Sequence, residues 1–257
     1  MRSLQENSDG RSSYPILPLT QLRSLHMFAL AIDGQAGCGK STVAKAVARR
    51  LDITYINTGA MYRALTLHVL RSGVDLEDRA AVAQVAATAE IDFATHPGTG
   101  EREVRLNGEF VAPLLQEESL ARITTLISGW PEVRERLVRL QQEMAARQPV
   151  VMEGRDIGTV VLPHAPLKVF LTASAEARAQ RRHKQLLAQF PNTRYEDVLA
   201  ELQERDRMET TRAVAPLVAA ADARPLDTSH LSPEQVTQQI LDWAREAGAL
   251  RKAHTRK

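Results

Sequence analysis

Gly34-Gln35-Ala36-Gly37-Cys38-Gly39-Lys40-Ser41 follows the apolar run Phe28-Ala29-Leu30-Ala31-Ile32 and leads into helix-forming residues 41–51. A strand, a glycine-rich turn and a Lys-Ser pair opening a helix is the arrangement in which backbone N–H groups converge on a polyphosphate. Gly34, Gly37 and Gly39 permit conformations that a Cβ obstructs, so several amides can face one anion. Lys40 adds a mobile charge for β- and γ-phosphates, and Ser41 offers a hydroxyl to Mg²⁺. A glycine-rich turn with no ligand shares the spacing, but it does not require the strand before and the helix after. The stretch therefore predicts a nucleotide triphosphate user.

Beyond this loop, strand and helix patterns alternate, which predicts an α/β fold with a parallel five-stranded sheet flanked by helices. Thr54-Tyr55-Ile56, Val150-Val151-Met152, Leu167-Lys168-Val169-Phe170-Leu171 and Pro225-Leu226-Asp227 supply the other strands. A helix after the second strand ends near Gly73, and Ser232-Pro233-Glu234-Gln235 opens the last one with Ser at the N-cap and Pro at N1. Residues 74–147 break the rhythm and read as an insertion beside the nucleotide core. Within it Asn107-Gly108 predicts a tight hairpin over 103–111, between helical stretches at 77–89 and 116–147.

Composition narrows the class. Hydrophobic content of 44% and charged content of 25% in 257 residues describe an ordinary globular chain, and 4% aromatic content gives little for stacking nucleic-acid bases. A formal net charge of +2 carries no partner signal. No apolar run is long enough to cross a bilayer, and the single cysteine, Cys38, excludes an internal disulfide and suits a reducing cytoplasm. Residues 1–26, interrupted by Pro15, Pro18 and Arg23, read as a disordered extension before a domain at 27–247. Residues 248–257 read as a solvated basic tail rather than a nucleic-acid contact.

Arginines then choose among the users of such a loop. Thr58-Gly59-Ala60-Met61-Tyr62-Arg63 and Glu153-Gly154-Arg155-Asp156-Ile157-Gly158-Thr159 each follow a predicted parallel strand, where residues are delivered to a ligand crevice. Arg63 alone reads as a surface charge and 153–159 alone as a salt-bridged turn. Together with the glycine loop they can hold an acceptor phosphate in line with a γ-phosphate. A helical hairpin over about 178–212, with Arg178, Arg181, Arg182, Arg205, Arg207 and Arg212, reads as a lid that could neutralise transition-state charge and exclude water. Arg181, Arg205 and Arg212 are expected to be functional, and Arg178 and Arg207 to lie on a solvated face. No Asn-Lys-x-Asp string argues for guanine reading.

The set formed by GQAGCGKST (34–42), INTGAMYRALTL (56–67), WPEVRERL (130–137), EGRDIGTVVLPHAPLKVFLTAS (153–174), ARAQRRHKQL (177–186), ELQERDRMETTRAVAPL (201–217) and LDTSHLS (226–232) resembles bacterial cytidylate kinases, P-loop nucleoside monophosphate kinases. The likeness runs from about Phe28 to Ala247. It implies a P-loop NTPase core with a nucleoside-monophosphate-binding insertion and a helical lid. The implied activity is transfer of the γ-phosphoryl group of ATP, with Mg²⁺, to CMP or dCMP. The products are CDP or dCDP and ADP. By matching motifs, Gly34, Gln35, Ala36, Gly37, Cys38, Gly39, Lys40, Ser41 and Thr42 would bind ATP. Thr58, Arg63, Thr125, Arg134, Arg155, Asp156, Arg205, Glu209 and Arg212 would face the acceptor, while Arg181 and Arg182 would belong to the lid. Lys40, Arg155, Arg181 and Arg205 are the expected catalytic groups, and Ser41 with Glu153, through water, the expected metal ligands. A cytoplasmic monomer is expected, with no nucleic-acid or membrane partner.

Three positions depart from the family pattern. Glu153 and Glu209 stand where Asp is usual, and Cys38 where the loop usually has Ser, Gly or Ala. A thiol beside a helix N-terminus and Lys40 is expected either to be reactive or to be an inert packing group.

Overall fold

The computed structural model describes residues 28–188 and 190–249, without the side chain of Glu118. The extension expected at 1–26 and most of the tail expected at 248–257 lie outside the described residues.

Five parallel strands form the central sheet in the order β2-β6-β1-β7-β8, where β1 is Ala29–Gly34, β2 Thr54–Asn57, β6 Val150–Gly154, β7 Leu167–Thr172 and β8 Arg224–Asp227. In β1, Leu30, Ala31 and Ile32 are wholly buried. An uninterrupted apolar run is what a strand covered on both faces needs. On one face it packs with Met61, Leu65 and Val69 of α2 (Thr58–Ser72) and with Leu137 of α5 (Pro131–Ala145). On the other it meets Val43 and Val47 of α1 (Lys40–Leu51) and Ile240 and Leu241 of α8 (Pro233–Glu246). Register pairs Ile32 with both Glu153 and Val169. Because the strands are parallel, Gly34, Asn57, Gly154, Thr172 and Asp227 end at one edge of the sheet, and the residues that follow them converge there.

Caps fix where the helices start and stop. Asn57 accepts from the Ala60 amide at 2.9 Å and Gly73 closes α2 at φ 71°, as expected for a helix ending there. Ser232 and Gln235 form the reciprocal capping box of α8.

The insertion differs from expectation in two places. The hairpin of β4 (Arg102–Leu106) and β5 (Glu109–Phe110) turns through Asn107 and Gly108, with φ of 50° and 83°, as the sequence predicts. β3 (Ile91–Thr95), which follows α3 (Arg79–Thr88) in the chain, extends it to a three-stranded antiparallel sheet. Ile91 packs opposite Leu106, both buried, which secures a strand too short to stand out by pattern. The helical stretch expected at 116–147 is a short 3₁₀ turn and two helices, α4 (Glu118–Ile127) and α5. Pro131 cannot donate to the turn before it and holds Trp130 extended, so it ends one helix and starts the next.

The stretch expected to form a lid is an antiparallel helix pair, α6 (Ala175–Leu187) and α7 (Tyr195–Thr211), joined by Ala179, Val198 and Leu202.

Candidate active site

Gly34 ends β1 so close to β7 that a Cβ on it would sit 2.1 Å from the Leu171 carbonyl oxygen. Only glycine fits, and the chain can then turn outward through residues 35–39. Lys40 is buried, its Nζ donating to the Gln35 carbonyl at 2.6 Å. Burial first, and then the charge of Arg155, lowers its pKa. Ser41 and Thr42 are exposed at the loop mouth. Cys38 packs in the apolar layer at 1% exposure, with Sγ 3.8 Å from the Lys40 nitrogen. This placement favours the packing role over the reactive one.

Opposite the lysine lies an arginine cluster with too little negative charge to balance it. Glu209 accepts from Arg155 Nε at 2.6 Å and from Arg205 Nε at 2.9 Å. Burial alone would raise its carboxyl, but the two guanidinium groups carry it down to about 2. Arg63 lies within reach of the charges of Arg205, Glu153 and Arg155, and its Nε is buried with no hydrogen-bond partner. A buried guanidinium with its Nε unsatisfied beside two others can seat an anion.

A second group lies beyond it. Arg134 and Asp156 form an ion pair in which both side chains are 7% exposed, and Arg134 also donates to the Tyr62 hydroxyl at 3.2 Å. Arg212 donates to the Ala215 carbonyl at 2.6 Å and feels both Asp156 and Arg134. Burial, outweighing Arg134, pushes the Tyr62 phenol up to about 12. Thr58 is buried and donates to the Glu153 carbonyl at 2.8 Å, while the Glu153 carboxylate accepts from the Tyr55 hydroxyl at 2.8 Å. Tyr55 also interacts with Ser41, so hydroxyl and carboxylate oxygens are gathered on one side of the loop.

Two expected residues sit differently. Arg181 turns to β8's end, donating to the carbonyl and hydroxyl of Thr228. Thr228 in turn donates to the Cys38 carbonyl at 3.0 Å, so Arg181 braces the back of the loop rather than the arginine cluster. Thr125 bonds back to the Ala121 carbonyl of its own helix at 3.0 Å. Arg182 is exposed.

Arg178 overturns its expected solvated position. It is 2% exposed, donates to the Ala36 carbonyl at 3.2 Å and grips Asp206 with two nitrogens. Its helical surroundings are highly charged, which hides from the sequence that this one arginine faces inward. Arg207 is exposed, as expected, and pairs with Glu204. Asp33, an acid between a strand and a glycine loop, carries no separate signal in the sequence. It is 4% exposed and accepts from the amides of Ile157 and Gly158.

A parallel α/β core with a glycine-rich loop opening a helix, and a buried lysine beside a group of arginines, defines a P-loop kinase. The chain belongs to the cytidylate kinase family: the family model described as Cytidylate kinase matches residues 30–246. The cytidylate kinase of Pelotomaculum thermopropionicum is 47% identical over 212 residues, covering 82% of this chain and 93% of its own. That of Rhodococcus jostii is 46% identical over 219 residues, covering 85% and 95%, and that of Mycobacterium avium 47% identical over 218 residues, covering 84% and 95%. Among the described residues no helix is long and apolar enough to cross a membrane.

Proposed function

We propose that this protein transfers the γ-phosphoryl group of ATP to the phosphate of CMP or dCMP, giving ADP and CDP or dCDP. The observation that carries the reading is the socket formed by Arg63, Arg155 and Arg205, with the buried Arg63 Nε unsatisfied next to the charge of Arg155, which Lys40 also feels. The acceptor is already an anion, so catalysis rests on alignment and charge stabilisation and needs no general base. The loop amides from Gly34 to Thr42 hold the triphosphate. Lys40 leaves the Gln35 carbonyl for its β- and γ-oxygens. Arg63 and Arg155 hold the acceptor phosphate, and Glu209 releases part of its hold on Arg155 and Arg205 as that phosphate enters. Arg205 then follows the charge as the transferred group becomes metaphosphate-like. A catalytic part for Arg181 requires the lid to move, because in the present arrangement it is engaged with Thr228.

Cytosine is read by the inner group. Asp156 accepts from its exocyclic amine, and Arg134 and Arg212 donate to the ring carbonyl or nitrogen, with Thr58 at the edge and Thr125 reaching the base only after a side-chain rotation. An oxygen-only donor set of Ser41 and Glu153 suits Mg²⁺, which binds through few protein ligands and several waters. Ser41 would hold it directly and Glu153 through water, and the ion supplies charge neutralisation at the β- and γ-phosphates. A single unbridged thiol suits a cytoplasmic setting, where the protein is proposed to act as a monomer. Rates measured over a matrix of donors and acceptors test the reading. ATP with CMP and dCMP should exceed every other pair, and equal rates on UMP or AMP would remove it.

A further inference from the structure

Asp33 sits outside the groups that touch either nucleotide, yet it joins the two halves of the site. Its backbone is the last step of β1 before Gly34, so it shares the position of the phosphate loop. Its side chain crosses to the segment after β6. Oδ1 accepts from the Ile157 amide at 2.8 Å and Oδ2 from the Gly158 amide at 2.7 Å. These two amides open a π-helical turn, Ile157–Val161, and directly follow Arg155 and Asp156. Asp156 itself is irregular, at φ −143° and ψ 28°, so the strand's ladder does not hold it.

The seat is close-fitting. A Cβ on Gly158 would lie 3.3 Å from Asp33 Oδ2 and 3.2 Å from the Lys168 stem. Lys168 in turn donates to the Asp222 carboxylate at 2.8 Å. Asp156 and Lys40 also act on Asp33 through their charges. A carboxylate is suited to this task because both its oxygens are acceptors, whereas an amide of the same shape would turn an N–H₂ toward one of the two N–H groups.

We propose that Asp33 is a positioning residue for the acceptor clamp: by binding the Ile157 and Gly158 amides it sets Arg155 and Asp156 in register with the phosphate loop. The inference rests on the kinase reading above. It assigns Asp33 no contact with CMP or ATP, and its effect passes through the backbone of residues 155–158.

The test compares the parent with Asp33→Asn, using steady-state kinetics on CMP and direct titration of ATP. Misplacing a positioning group by about 1 Å can cost about 100-fold. The variant should therefore lose about that factor in kcat/KM for CMP, while its ATP dissociation constant stays within about 3-fold. A folded variant that keeps the parent's kcat/KM, or that loses ATP affinity as steeply as CMP turnover, overturns the proposal. If the variant does not fold, amide hydrogen exchange on the parent decides. Ile157 and Gly158 should be protected as strongly as the β1–β6 ladder before CMP is added, and exchange at the rate of an open turn overturns the idea. A parent inert on CMP would sink the kinase reading instead, leaving amide protection to judge the role of Asp33.

Discussion

Arg178 and Asp206 meet in a two-pronged ion pair, at 3.1 and 2.6 Å, directly behind the phosphate loop. Arg178 comes from the first lid helix and Asp206 from the second, and each also reaches the loop: Arg178 to the Ala36 carbonyl, and Asp206 to the Gln35 side-chain amide at 3.3 Å. The α6–α7 pair is thereby fastened to the glycine-rich loop. Removing Arg178 leaves Asp206, 16% exposed, without its cation, which costs up to about 3–5 kcal/mol, the range for breaking a buried pair. Arg178→Met should lower unfolding free energy by that order in urea titrations and weaken ATP binding. Adding Asp206→Leu should recover part of the loss, since the stranded carboxylate is then gone. A single variant as stable as the parent contradicts the assignment.

Lys40 is buried within reach of the charge of Arg155, so under the proposed function it is the group through which the donor and acceptor sites would sense one another. Lys40→Ala removes a cation without opening the sheet core, so the thermal midpoint should change little. Turnover should fall by at least about 100-fold, the order that loss of a preorganised electrostatic contact produces. Near-native turnover in this variant contradicts its role at the phosphates.

Much of this was legible in the chain because its signals are local. The loop from Gly34 to Ser41, the Asn107-Gly108 turn and the Ser232 cap each fix a backbone conformation by themselves. Residues 58–63 and 153–159 could be placed at strand ends for the same reason. What was not legible depends on tertiary direction. Arg178 and Arg207 share a charged setting, yet one faces the loop and the other water. Arg181 lies one turn beyond Arg178, and its reach toward Thr228 is set by where β8 ends. Ile91–Thr95 became a strand through its pairing with β4, a partner that no window of five residues contains.

Base selectivity should reside in the Arg134–Asp156 pair, where both side chains are nearly sealed from water. Cytosine offers an amine to Asp156, while uracil presents a carbonyl to the same carboxylate. A buried polar site rejects an analogue that leaves its groups unpaired, by a factor of about 10⁴ in favourable cases. The kcat/KM ratio of CMP to UMP should therefore be large in the parent. In Asp156→Ala it should collapse toward unity, chiefly through loss of CMP turnover. A ratio unchanged by this substitution would place base reading elsewhere.

Asp33 sets stability and activity against each other in acid. Burial, with some help from Asp156, pushes its carboxyl from 3.8 up to about 6, against the pull of the Gly158 and Ile157 amides and Lys40. Its folded pKa is the higher one, so the stability it contributes is fully present below 3.8 and is lost as pH rises through about 6. Activity runs the other way, because only the ionised form accepts both amides. Glu209 does not confuse the interval. Its pKa is lowered from 4.5 to about 2, so its contribution is present above 4.5 and is lost only as pH falls through about 2. The acceptor phosphate does titrate near pH 6, like other phosphate monoesters at about that value. The parent's acid limb in kcat/KM for CMP should therefore be steep, reflecting two protons, whereas Asp33→Asn should retain only the shallower limb of the substrate. Superimposable limbs in the two proteins would show that Asp33 does not ionise in the working range.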